Sequence, residues 1–248
     1  MLFRQFFDSD SSTLTYLLAS APGREGLIID PVKAQTDQYL RAIRELDLRL
    51  VAAVDTHTHA DHITALGDLR DTTGCVTVMG KYTRAECVTR HVHDEEELGV
   101  DGIRLRALYT PGHTDESFSF LLEAADGAPA AVFTGDVLLI RGTGRTDFQG
   151  GDAGKSYDSI TRRLFTLDDA TLVYPGHDYK GWTVSSVGEE RRHNPRLAGK
   201  SREQYIEIME NLNLPCPKLM DVAVPANLAC GQPDRPAGAE LSPYNGTA

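Results

Sequence analysis

An α/β fold with a metal site at its strand ends is what this sequence predicts, on three observations. Apolar runs of strand length alternate with helical pattern in the first third of the chain. Four apolar runs along the whole chain each lead into a residue able to ligate a metal. One of the four segments, His57-Thr58-His59-Ala60-Asp61-His62, holds three histidines and an aspartate within six positions.

Taken in order, Leu14 to Ala19 and Leu27 to Ile29 are short apolar runs bounded by Ser, Pro and Gly, so they read as strands. Asp30-Pro31 ends the second. Tyr39, Leu40, Ile43 and Leu46 recur at helical spacing, predicting an amphipathic helix from about Thr36 to Asp47. Leu50 to Val54 is a buried-strand run, and the histidine-rich segment follows it. Ile103 to Tyr109 then leads into Thr110-Pro111-Gly112-His113, Ala131 to Phe133 into Thr134-Gly135-Asp136, and Thr171 to Tyr174 into Pro175-Gly176-His177. Side chains set at the ends of rigid strands can converge on one point, as a metal requires.

Two further helices are expected, Val184 to His193 and Ser201 to Asn211, the second opening on a Ser201…Gln204 capping box. From Leu214 the prolines at 215, 217 and 225 suggest an irregular tail, with partial disorder from Gln232. With no repeat and no linker, residues 1–248 read as a single domain whose C-terminal helices and tail begin near 184.

The composition, 41% hydrophobic and 25% charged, is that of an ordinary globular protein. A net charge of −11 argues against a nucleic-acid partner, because phosphate backbones select basic surfaces. No apolar run reaches the roughly 20 residues that cross a bilayer, so no membrane partner is expected. The N-terminal MLFRQFFDSDSS lacks a secretory h-region and the look of a transit peptide, which reads as cytoplasmic. The four cysteines, Cys75, Cys87, Cys216 and Cys230, form no CxxC pair and are expected to be reduced, mostly buried thiols.

A lone histidine is usually structural, but three beside an aspartate on one strand-end loop are not lone. Imidazole and carboxylate donors suit Zn, Fe, Mn or Ni, and no cysteine stands near to suggest copper electron transfer or iron–sulfur chemistry. His91 and His93, beside Asp94 to Glu97, fit a solvated acidic loop, and His193 fits a helix end.

The HxHxDH segment, followed by TPGHT, TGD and PGH in that order, resembles the signature of the metallo-β-lactamase superfamily across almost the whole chain. That resemblance implies a four-layer αβ/βα sandwich with the metal site at one edge of its two sheets. Within the superfamily, a glyoxalase II-type thioesterase would hold two metals: His57, His59 and His113 on one, Asp61, His62 and His177 on the other, with Asp136 bridging. More specific are Ile140-Arg141-Gly142-Thr143-Gly144-Arg145-Thr146-Asp147-Phe148-Gln149, then His177-Asp178-Tyr179-Lys180-Gly181-Trp182-Thr183-Val184, Asn194-Pro195-Arg196-Leu197 and Val224-Pro225-Ala226-Asn227. These resemble the persulfide dioxygenase family, the ethylmalonic encephalopathy protein family.

The second resemblance implies one Fe(II) per chain on a facial triad of His57, His113 and Asp136, with three positions left open. His59, Asp61, His62 and His177 become supporting residues that orient the ligands. The implied reaction takes glutathione persulfide, O₂ and water to sulfite and glutathione, a step of sulfide oxidation. Glutathione carries two carboxylates, so Arg141, Arg145, Tyr179 and Arg196 are the candidate substrate contacts, with Thr114 a further one. An arginine could instead be tied up by Asp147 or Asp178. The family resemblance also suggests a homodimer.

Overall fold

The computed structural model describes residues 1–123, 130–215 and 219–233. Six strands form the first sheet in spatial order β1 (Leu2–Asp8), β2 (Thr13–Ala19), β3 (Glu25–Ile29), β4 (Arg49–Val54), β5 (Val76–Gly80) and β6 (Arg90–Val92). The second runs β12 (Ser185–Ser186), β11 (Leu172–Pro175), β10 (Ala131–Gly135), β9 (Phe118–Leu122), β8 (Ile103–Tyr109) and β7 (Glu97–Val100). Both mix parallel and antiparallel pairs.

Side-chain alternation produces the layers. In β2, Leu14, Tyr16 and Leu18 face the second sheet, while Leu17 and Ala19 face outward. In β10, Ala131 and Phe133 point into the same inter-sheet core and Val132 points away. Each outward face is covered by helices. Tyr39 and Ile43 of α1 (Thr36–Glu45) and Leu66 and Leu69 of α2 (Leu66–Thr73) pack on the first sheet. Val187 of α4 (Val187–His193) and Tyr205 and Met209 of α5 (Arg202–Glu210) pack on the second, with Ile160 and Leu164 from the π-helical turn after α3 (Ala153–Ser159). The result is the expected helix–sheet–sheet–helix sandwich.

Most predicted elements fall within two residues of their expected ends, and α5 carries the full Ser201–Gln204 capping box. α4 starts later than expected because Ser185 and Ser186 pair with β11, after which Ser186 Oγ caps the helix by accepting from Glu189 N. Two expectations are corrected. Residues Met220–Leu228 form a helix, α6, rather than an irregular tail, with Pro225 in its interior. Cys87 and Cys230 are joined by a disulfide rather than reduced, which removes one support for a reducing compartment. Cys75 is free and buried, as expected. The disorder expected from Gln232 does not extend to Gln232 itself, which hydrogen-bonds Arg70, Asp68 and Asp71; residues 234–248 lie outside the described residues, as does Cys216. Among the described residues, no helix is long and apolar enough to cross a membrane.

Candidate metal centre

The site assembles where strand ends of both sheets meet. β4 delivers the His57–His62 loop, β8 leads to His113, β10 to Asp136 and β11 to His177. The sheets are stitched together at this edge by Phe118 N donating to Thr56 O at 2.9 Å and Leu14 N donating to Gly176 O at 2.8 Å. Gly135 lets Asp136 approach: its φ is +49°, and a Cβ there would stand 2.4 Å from Thr56 Oγ1. At Gly144 a Cβ would meet Asp136 O at 2.1 Å, so the chain can fold back over the ligand loop only without a side chain.

His57, His113 and Asp136 come together, each offering one ligand atom within 4.8 Å of the others. The hydrogen bonds behind them decide which atoms are offered. Thr56 Oγ1 donates to Asp30 Oδ2 at 3.0 Å, so it can only accept from His57 Nδ1–H at 2.9 Å. His113 Nδ1–H donates to the Arg145 carbonyl at 2.7 Å. Each imidazole, in its neutral form, therefore has Nε2 as the nitrogen free to ligate. Burial, with His59 and His113 close by, holds the His57 pKa well below its ordinary value, so it stays neutral as a ligand must. Burial alone would raise the Asp136 pKa; His177, with His113 and His57, overrides that and brings it well below the usual carboxylate range. Two imidazoles presenting Nε2 and an anionic carboxylate fit a divalent metal with open positions.

His177 stands behind this triad. Its Nδ1–H donates to Asp136 Oδ1 at 2.6 Å and its Nε2–H to Asp61 Oδ2 at 2.7 Å. Desolvation works against its charge, but the two carboxylates raise its pKa well above the ordinary value. Asp61 Oδ2 also lies 3.0 Å from His62 Nδ1, while His62 Nε2 is buried without a partner. His59, Asp61 and His62 form a second group of potential ligands, and His59 belongs equally to a third with Asp30 and Asp55. His59 Nε2 is 3.3 Å from Asp30 Oδ1, a contact too poorly aimed to be a hydrogen bond, and Asp30 leads the charges that raise its pKa, against burial, to about 9.

A cavity of about 290 Å³ opens over Asp61, His113, Asp136 and His177. Arg141, Arg145, Tyr179, Lys180 and Arg196 line it with the apolar Leu139, Ile140 and Phe148. Four of the five expected substrate contacts thus line one cavity. Arg141 is paired with Glu189 and the buried Glu190 and stacked on Trp182, so its charge is already committed. Arg145 meets Asp147 through Nε at 2.7 Å and Nη2 at 2.6 Å and lies over Phe148, the competing pairing the sequence allowed. Arg196 Nη1 donates to Thr143 O at 2.5 Å, a neutral partner, and among the described residues no ion pair engages it. Tyr179 is exposed and lies parallel to the His177 ring, centroids 6.0 Å apart. Thr114 differs from expectation: it is buried, its hydroxyl 2.7 Å from Ser117 Oγ, and it is not among the described residues lining the cavity.

Several residues of this site were not singled out from the sequence. Asp30 and Thr56 orient His57. Glu116 Oε1 accepts from Thr58 N at 2.6 Å, and Gln149 Nε2 donates to Thr58 O at 2.9 Å, holding the peptide groups on both sides of Thr58. Asn227 reaches the loop from α6. Asp30 carried a signal, being another acid at a strand end. Gln149 and Asn227 stood in segments recognised only as family-specific.

The metallo-beta-lactamase superfamily model matches residues 9–177. Human persulfide dioxygenase ETHE1, mitochondrial, is 46% identical over 93% of this chain and 89% of its own length. The chain belongs to the persulfide dioxygenase family of the metallo-β-lactamase superfamily. The crystal structure of ETHE1 from Myxococcus xanthus superposes with a TM-score of 0.89 at 57% identity, over 93% of this chain and 100% of that one. A more distant relative, TTHA1623, solved in a di-iron-bound form, has a TM-score of 0.62 at 25% identity, over 78% of this chain and 100% of that one. In this persulfide dioxygenase-family chain the four motifs that carried the resemblance are the four strand ends that build the site.

Proposed function

We propose that the chain is an iron-dependent persulfide dioxygenase, taking glutathione persulfide, O₂ and water to glutathione and sulfite with one Fe(II) per chain. The observation that carries it is the convergence of His57 Nε2, His113 Nε2 and Asp136 below a cavity walled by the family-specific segments, in a chain whose relatives at 45–46% identity are persulfide dioxygenases. Fe(II) held there would supply open coordination positions and a redox centre through which electrons from the persulfide sulfur pass to O₂.

The protein's own part is positioning. Thr56 and the Arg145 carbonyl fix the two imidazoles, and His177 occupies one Asp136 oxygen, leaving the other toward His113. Arg196, desolvated enough that burial lowers its pKa, and paired only with neutral groups among the described residues, is the best placed cation for a glutathione carboxylate. Arg145 can do the same by exchanging Asp147 for substrate, and Lys180 and Tyr179 flank the mouth. Leu139, Ile140 and Phe148 exclude water from the wall beside the triad. A homodimer belongs to the same reading, testable by sedimentation.

The dinuclear thioesterase alternative is not favoured by the curated relatives. The test is anaerobic reconstitution with Fe(II), metal analysis, and an oxygen electrode. About one iron per chain, with O₂ uptake and sulfite formation on adding glutathione persulfide, is expected. Hydrolysis of a glutathione thioester without O₂ uptake would overturn the proposal.

A further inference from the structure

α6 is weakly attached for a helix that touches a metal loop. Its buried residues are only Ala223, Ala226 and Asn227, whereas Val222 and Pro225 are exposed. Two alanines, with Leu228 partly buried against the helix-covered face of the first sheet, bury a modest apolar area, so hydrophobic adhesion is limited. Pro225 also lacks the amide that would otherwise continue the helical ladder.

What joins α6 to the metal loop is Asn227. Its Nδ2 donates to His59 O at 2.9 Å and to His62 O at 2.8 Å, and its Oδ1 accepts from Thr64 N at 2.9 Å. One buried side chain thus fixes three backbone groups across the segment that carries Asp61 and His62. Three residues on, Cys230 is bonded to Cys87, which precedes β6 on the first sheet, a closure spanning 143 residues.

We propose that Asn227 is a positioning residue for the metal site and that the Cys87–Cys230 disulfide holds it in place, so that metal retention depends on the chain's thiol redox state. This rests on the metal-centre reading above. Opening the latch needs a thiol reductant. Its thiolate attacks one sulfur, and the other leaves as a thiolate and takes a proton. A second thiol resolves the mixed disulfide, so two electrons and two protons pass to the cysteines and the reductant leaves as a disulfide. α6 is then held without its covalent tie, by the Asn227 hydrogen bonds and the limited packing of Ala223, Ala226 and Leu228, and the His59–Thr64 backbone loses its fixed register.

The test uses the full chain loaded with Co(II), whose visible bands report ligand geometry, and chelator competition for affinity. It compares oxidised protein, protein reduced by a dithiol that is then removed under argon, Cys87→Ser and Asn227→Ala. Reduction is expected to weaken Co(II) binding about 10-fold or more and to shift the bands, the range typical of residues that support metal ligands. Cys87→Ser should match the reduced wild type in both conditions, and Asn227→Ala should bind weakly and ignore reductant. Circular dichroism at the assay temperature identifies any variant that fails to fold. In that event the reduced wild type decides alone. Equal affinity in both redox states, with the open disulfide verified by peptide mass mapping, overturns the proposal, as does absence of the Cys87–Cys230 peptide from oxidised protein. If oxidised wild type binds no Co(II) at all, the metal-centre reading itself fails.

Discussion

His177 Nδ1–H donates to Asp136 Oδ1 at 2.6 Å, while Asp136 Oδ2 lies 3.6 Å from His113 Nε2. One carboxylate oxygen is thereby held by a hydrogen bond, and the other is left among the ligand atoms. The same imidazole grips Asp61, so His177 couples the triad to the second group of potential ligands. His177→Gln, which keeps at most one of the two bonds, should lower iron affinity by about 10- to 100-fold. Asp136→Ala should abolish iron binding and activity while circular dichroism stays native. Iron content per chain after dialysis checks both, and full occupancy in Asp136→Ala would refute the ligand assignment.

Arg196 and Arg145 separate two ways of binding an anionic substrate. Arg196→Ala removes a cation that no carboxylate among the described residues engages, and should raise KM for glutathione persulfide about ten-fold, with kcat much less affected. Arg145→Ala should also raise KM, but its Asp147 partner makes the change more salt-dependent. Steady-state kinetics at two ionic strengths distinguishes them. An unchanged KM removes that arginine from the binding wall.

Glu116 should set a pH dependence of stability. Burial raises its pKa, the opposing hydrogen bond from Thr58 N being insufficient. The folded state then binds a proton more tightly than the unfolded state, so this contribution is fully present below the ordinary glutamate range. It is lost as pH rises through the raised value. Denaturant melts of wild type and Glu116→Gln should therefore diverge in slope over that window, with the variant gaining relative stability as pH rises. Parallel curves would show that Glu116 titrates normally.

Ser201 supplies the capping box of α5 and makes no hydrogen bond to the ligand residues. Ser201→Ala should cost about 1 kcal/mol in unfolding free energy and leave iron content unchanged. A chemical denaturation curve measures the first and metal analysis the second.

The strand ends were legible because metal ligands, tight turns and strand periodicity all act over a few residues. β4, β8, β10 and β11, with the His, Asp and His that follow them, could be read directly, as could α1 and the cap of α5. β1 and β9 were not singled out, nor was the short β12, whose two residues have no periodicity. α6 was hidden by Pro225, a residue that argues against a helix locally but is tolerated in one anchored at its far end by Asn227 and Cys230.

By itself the sequence determined the donor types, their order, the layered α/β architecture and the family. Tertiary structure alone decided which nitrogen each histidine offers, because Asp30, Thr56 and the Arg145 carbonyl reach the imidazoles across loops. It also decided that Arg141 is spent on Glu189 and Glu190, that Thr114 turns inward, and that Cys87 meets Cys230. The physical reason is common to all of these. Hydrogen bonds, ion pairs and disulfides between distant segments depend on distances of a few ångströms, which only the packed sheets and helices fix.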